Sequence, residues 1–294
     1  MSTLELAKYR LILEPLEPLS LPPYKGSTFR GGFGTVFRRI ACVCAPEATD
    51  HRPNCLYAQV FETPQSDALA ALPRTARLPH PFVLEPPSEA QRLYAPGEPL
   101  TLHLILIGQA IAWLPYFVFA FEELGRVGIG ARRGRYRLAT VLSLKDAEAT
   151  PIFSGTTRRF LDPGQPVRFA DLEGASSPVD TIDIDFTTYA RVVRRGTLRA
   201  SLAFPLLFGA LLRRTALLTG AHCGGGPVPL PSGAPLDTVA ILQYFYDRWA
   251  QRPEAREAIR AAFAMAEEIS LDQEDLQWHD WERYSGRQNT RMKL

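Results

Sequence analysis

Two hydrophobic periods alternate along the first half of the chain, and their order leaves few folds open. Residues 4–13 are dense in Leu, Ile and Tyr and stop at Glu14-Pro15, as a strand does. After a Pro-rich loop over 15–23, Phe29, Phe33, Val36, Phe37 and Ile40 fall on one helical face, with Ser27 or Thr28 as the expected N-cap. Strand-like runs follow at 56–62, 81–85 and 100–107. Residues 109–124 are apolar and aromatic; Pro115 starts or kinks this second helix and Gly125 suits its C-terminal cap. A strand at 135–144 closes the series. Strand, helix, strands, helix, strand predicts an α+β, ferredoxin-like (RRM-like) βαββαβ domain over residues 1–148, with one strand added.

A Pro/Gly/Ser-rich stretch at 149–180 reads as a linker. Beyond it, 181–187 alternates as a half-buried strand and 202–218 is an apolar helix containing Arg213-Arg214. A Gly/Pro loop, two helical stretches at 236–252 and 254–269, and a strand within 271–284 complete the chain. The expectation is tandem ferredoxin-like domains. The second, 181–294, carries inserted helices and lacks its final strand-helix-strand.

The chain has 294 residues, 46% of them apolar, which is ample for a hydrophobic core without disulfides or metal. No apolar run reaches the roughly 20 residues of a membrane span. The N-terminus has no basic start or apolar signal core, and four cysteines are too few for a disulfide scaffold. A cytoplasmic protein with reduced thiols and no membrane partner is expected. Net charge is only +2, yet there are just four lysines among 33 basic residues, leaving 29 arginines. A GC-rich genome explains that number as well as phosphate recognition does, so placement has to decide. The placement is suggestive. Gly125-Arg126-Val127-Gly128-Ile129-Gly130-Ala131-Arg132-Arg133-Gly134 can turn main-chain N–H groups onto a concave, charged surface. The loop follows a helix and precedes a strand, which excludes a dinucleotide fingerprint, and no Gly-Lys-Ser/Thr is present for a P-loop. Gly31, Gly32 and Gly34 weaken the first helix by about 1 kcal/mol each relative to alanine, so something needs close approach there: tight packing, or a phosphate backbone at the helix start.

Five histidines are present. His80 lies between prolines and reads as structural, His103 as a sheet residue, and His279 lies on a late strand, while His222 and His51 sit in more polar settings. Cys42, Cys44, His51 and Cys55 have zinc-ligand chemistry, but Cys-x-Cys is tighter than the usual gap and no second Cys-x-x-Cys exists, so ordinary thiols without metal are expected.

Tyr24-Lys25-Gly26-Ser27-Thr28-Phe29-Arg30-Gly31-Gly32-Phe33-Gly34 is similar to the Lys-Gly-Ser-x-x-Arg-Gly-x-x-Gly start of RAMP-superfamily CRISPR proteins. Later landmarks follow in the same order. They are Cys55-Leu56-Tyr57 with Phe61-Glu62, then 81–87 with 94–97, then the 125–138 Gly/Arg segment, then Arg213-Arg214, and finally Trp281-Glu282-Arg283-Tyr284-Ser285 with Arg287-Gln288. Together they resemble the CRISPR pre-crRNA-processing endoribonuclease over nearly the whole chain. The resemblance implies binding of CRISPR repeat RNA or crRNA, other effector subunits as further partners, no cofactor, and metal-independent cleavage. Cleavage would proceed by 2′-hydroxyl attack and leave a 2′,3′-cyclic phosphate. A non-cleaving RAMP subunit that coats guide RNA shares the same motifs. The family's C-terminal Gly-rich loop has no counterpart before Leu294, so a C-terminally truncated member is expected. The resemblance places the catalytic histidine after the first helix, making His51 the first candidate, with Tyr24 and Lys25 as helpers and His222 second. RNA contacts are expected from Arg30, Arg126, Gly128, Gly130, Arg132, Arg133, Arg135, Arg283 and Arg287, with Tyr136 and Tyr284 stacking on bases.

Overall fold

A long strand with strict in-out alternation organises the sheet. β1 (Glu5–Pro15) buries Ala7, Tyr9, Leu11 and Leu13 on one face, and a one-residue slip would move all four to the other, so its register is fixed. The computed structural model describes residues 4–45, 51–52, 54–64, 78–145, 148–161, 166–168 and 204–224. It also describes residue 184 and the segments 193–194, 197–198, 282–285 and 290–293. β1 is followed by a short β2 (Leu19–Ser20) and by α1 (Gly26–Ala41), which buries Phe29, Phe33, Val36, Phe37 and Ala41. The helix starts at Gly26 with Lys25 as its N-cap, two to three residues before the serine and threonine whose side chains suit that role.

Residues 56–62, expected as a strand, form a short helix instead, α2 (Leu56–Phe61). The chain then enters β3 (Phe82–Glu85), β4 (Leu93–Tyr94) and β5 (Leu100–Ile107). A 3-10 turn at Gly108–Trp113 leads into α3 (Leu114–Val127), with Pro115 in its first turn; the cap is Gly128 rather than Gly125. β6 (Tyr136–Lys145) returns beside β1. β7 (Glu148–Ser154) and β8 (Arg159–Phe160) continue the sheet past residue 148.

The sheet order is β3-β5-β1-β6-β7-β8, and every neighbouring pair is antiparallel. β9 (Val167–Arg168) pairs with the start of β1. The inner four strands with α1 and α3 are the βαββαβ unit read from the sequence; α2 replaces the added strand. A bulge at Ala139 keeps Leu138 and Val141 both on the buried side of β6.

Between helices and sheet lies an aromatic cluster centred on Phe33. Its ring lies 5.3 Å from Phe37, 5.8 Å from Phe61, 5.7 Å from Phe82, 5.4 Å from Phe117 and 4.9 Å from Phe121. Phe61 explains α2: six residues gain little from helix formation alone, and the ring anchors them to the core. Of Gly31, Gly32 and Gly34, two are accounted for by packing, since a Cβ at Gly32 would stand 2.9 Å from Leu124 and one at Gly34 would stand 3.1 Å from Phe61. Nothing lies within 4 Å of a Cβ at Gly31.

Of the second half, α4 (Phe204–His222) is described, with two small hairpins, β10 (Val193–Arg194) with β11 (Thr197–Leu198) and β12 (Glu282–Ser285) with β13 (Thr290–Lys293). α4 docks by its end. His222 Nε2 is 2.8 Å from the Pro79 carbonyl, and the His222 carbonyl stands 2.0 Å from where a Cβ at Gly108 would sit. The helices expected at 236–269 and the strand at 181–187 lie outside the described residues, apart from Ile184. No helix among the described residues is long and apolar enough to cross a membrane.

Candidate nucleic-acid interface

The loop between α3 and β6 is built by its glycines. Gly128 has φ +87° and Gly130 φ +80°, where L side chains are strained, and a Cβ at Gly128 would stand 2.1 Å from the Arg133 carbonyl. Arg133 itself has φ +52°. Main-chain hydrogen bonds close the loop: Ile129 N–H donates to Gly134 O at 2.9 Å and Arg133 N–H to Gly130 O at 3.2 Å. Its base rests on the chain leading into β2, since Cβ atoms at Gly130 and Gly134 would meet the Ser20 and Pro18 carbonyls.

The arginines divide into two groups. Arg135 reaches Glu17 with Nε at 2.8 Å and Nη2 at 2.5 Å, and Arg137 reaches Glu14 at 2.5 Å. The hydrogen bonds and charge of Arg135 in turn hold the Glu17 carboxyl below its usual range. Arg126 makes a looser contact of 3.6 Å to Glu123. Arg132 and Arg133 are exposed, and among the described residues neither guanidinium has an ion pair. Among the described residues the loop therefore presents two uncompensated charges on a fixed backbone. Tyr136, expected to stack on bases, is instead 2% exposed, and its hydroxyl donates to the Phe121 carbonyl at 2.9 Å. The side chains of Arg283 and Tyr284, and the whole of Arg287, lie outside the described residues.

The three residues expected to act in catalysis are held by separate partners. Lys25 is fully buried; its ammonium donates to the Glu89 carbonyl at 2.5 Å and the Pro23 carbonyl at 3.3 Å and lies 5.9 Å from the Tyr94 ring centre. Burial lowers its pKa, partly offset by the nearby Glu89 carboxylate. Tyr24 packs its phenol over Gly26, where a Cβ would stand 2.6 Å from the hydroxyl. The His51 side chain is 3% exposed, with Nδ1 2.6 Å from Glu62 Oε1 and the ring 5.1 Å from Tyr57. Among the described residues neither ring nitrogen has a hydrogen-bonding partner.

Arg30 belongs to another group, which the sequence did not reveal. Its guanidinium lies 5.1 Å from the Phe82 ring centre, near His80, Arg214 and His222. Burial, reinforced by the charges of Arg30, His222 and Arg214, pulls the His80 pKa down to about 4. Thr63, at a left-handed φ of +48°, places its hydroxyl 3.3 Å from His80 Nδ1. An unfolded chain protonates this imidazole near pH 6.5 and the folded one only near 4, so the folded state gives up stability as pH falls through that window. The expected loss is about 1–3 kcal/mol, or roughly 2–10 °C in midpoint between pH 7 and 4. Thermal unfolding of wild type and His80→Gln checks this: the variant should lose distinctly less, and equal losses would remove His80 from the account.

A four-stranded antiparallel sheet in the order β3-β5-β1-β6, with two helices on one face, defines a ferredoxin-like α+β domain. Residues 4–165 match the family model AF_1859_N, N-terminal domain, which spans just over half of the chain; the chain belongs to that family. An uncharacterized protein of Archaeoglobus fulgidus is 24% identical over 213 residues, covering 71% of this chain and 67% of the relative. Among solved structures, a chain of the Csm3-Csm4 subcomplex in the type III-A CRISPR-Cas interference complex is similar at TM-score 0.33 and 12% identity. That match covers 51% of this chain and 82% of the other. At that score the fold assignment stands on the strand order above.

Proposed function

We propose that the chain is an RNA-binding protein of the RAMP type that engages CRISPR repeat RNA through the Gly125–Gly134 loop. The observation that supports this best is the pair Arg132 and Arg133, exposed and without an ion pair among the described residues, on a loop whose glycines pack it into a fixed turn, beside arginines that glutamates neutralise. Guanidinium groups on such a backbone suit the phosphates of a single strand. The ordered motif set adds the CRISPR context.

The finer form of the reading is cleavage of precursor crRNA. His51, backed by Glu62, would take the 2′-hydroxyl proton, with Tyr24 and Lys25 nearby in sequence. The second form is a subunit that holds guide RNA within an effector complex without cutting it. The burial of His51 and Lys25 favours this form, because both would have to be uncovered to meet a scissile phosphate.

One experiment separates them. End-labelled repeat RNA is titrated with the full chain in magnesium-free buffer, reading binding by anisotropy and products on a denaturing gel. Salt-sensitive binding is expected; binding indifferent to salt would overturn the RNA reading. Products ending in a 2′,3′-cyclic phosphate, lost in His51→Ala with affinity kept within a few-fold, would establish the cleaving form. Intact RNA would establish the other.

A further inference from the structure

Three of the four cysteines meet where α1 ends and α2 begins. Cys42 caps the C-terminus of α1, Cys55 precedes α2, and the Sγ atoms of Cys42, Cys44 and Cys55 all lie within 4.8 Å of one another. Cys42 and Cys55 are 3.8 Å apart, sulfur to sulfur. A disulfide needs about 2.05 Å. Two thiolates on one tetrahedral zinc at about 2.3 Å stand about 3.8 Å apart. The spacing is that of co-ligands.

The surrounding backbone is arranged for negative sulfur. The Arg52 N–H donates to Cys44 Sγ at 3.3 Å, the Cys44 N–H to Cys42 Sγ, and the Val43 and Ala58 N–H groups to Cys55 Sγ. Each sulfur thus receives at least one main-chain donor, the outer-shell pattern that stabilises metal-bound thiolates. His51 lies between Cys44 and Cys55 in the chain. Its ring is buried, its nitrogens have no hydrogen-bonding partner among the described residues, and Glu62 stands against Nδ1. A carboxylate that accepts the proton of one nitrogen is the usual support for a histidine that ligates through the other, and Glu62 stands within reach of that role. The ring stands outside the three-sulfur group, so ligation requires it to swing inward.

We propose that Cys42, Cys44 and Cys55, with His51 through Nε2 as the fourth ligand, bind one zinc ion that staples the end of α1 to the start of α2. The Cys-x-Cys spacing had argued against a metal; the fold overcomes it by supplying the third sulfur across the loop. The site is structural, since four protein ligands leave no open position. It goes beyond the RNA reading and does not depend on it, though a ligating His51 is withdrawn from cleavage.

The test uses the full chain purified under reducing conditions. Metal analysis should give one zinc per chain, lost in Cys42→Ser, Cys44→Ser and Cys55→Ser. Cobalt exchanged into the wild type should show thiolate charge-transfer and tetrahedral ligand-field bands, which requires no variant to fold. His51→Ala should weaken zinc binding by more than the roughly 10- to 100-fold that loss of an outer-shell partner brings. A metal-free chain, a Cys42–Cys55 disulfide by mass spectrometry, or iron-sulfur absorption would overturn the site. Unchanged zinc affinity in His51→Ala would overturn the fourth ligand. RNA affinity measured on the same samples keeps failure of this proposal distinct from failure of the RNA reading.

Discussion

Replacing Arg132 and Arg133 together with alanine is expected to weaken RNA binding by about 30-fold or more, on the basis of about 1 kcal/mol for each charged contact. The slope of log affinity against log salt should flatten by about 1.4, since each single-strand phosphate contact contributes about 0.7. Stability should barely move, because neither side chain has an ion pair to lose among the described residues. Arg135→Ala is the control. Its guanidinium is already bound by Glu17, so its loss should change affinity less than the loss of the pair does. Anisotropy titrations at three salt concentrations provide the measurement. An Arg135→Ala effect as large as that of the double variant would move the RNA elsewhere.

The largest expected effect on the fold comes from Phe33→Ala. Five aromatic rings lie within 5.8 Å of this one, from α1, α2, α3 and β3, and the residue is fully buried. Those rings are fixed by three helices and a sheet, so the void cannot collapse. A loss of about 3–5 kcal/mol is expected, a large share of the 5–15 typical of a folded domain. Urea unfolding should show the midpoint falling by about a fifth or more. A loss under about 1.5 kcal/mol would mean that the cluster repacks around the gap.

What could be read from the sequence follows from what carries a period. β1, α1, β5, α3 and β6 are long enough for alternation or a helical face to repeat several times, and each was found. α2 was taken for a strand because Leu56, Tyr57, Val60 and Phe61 are strand-friendly residues in fewer than two helical turns; its conformation is set by where Phe61 packs. Side-chain partners across long separations left no local trace. Arg135 and Glu17 stand 118 positions apart, and nothing local distinguishes Arg135 from Arg133, which has no ion pair among the described residues. Lys25 looked like a helper for chemistry and is held by the carbonyl of Glu89, 64 positions on. The glycine loop was legible because positive φ has few sequence solutions. The converging sulfurs were not, because the approach of Cys55 depends on how α2 packs.

β1 is central in the sheet and first in the chain. Leu6 to Leu13 pair with Leu100 to Ile107, Lys8 to Pro15 with Tyr136 to Leu144, and Glu5 and Leu6 with Val167 and Arg168. β1 is therefore made before either of the two strands that flank it along its length. Until β5 and then β6 have been made it waits as an extended apolar segment without its sheet neighbours. Such long-range closure predicts slow folding and a demand for protection at the ribosome, paid in time rather than in stability.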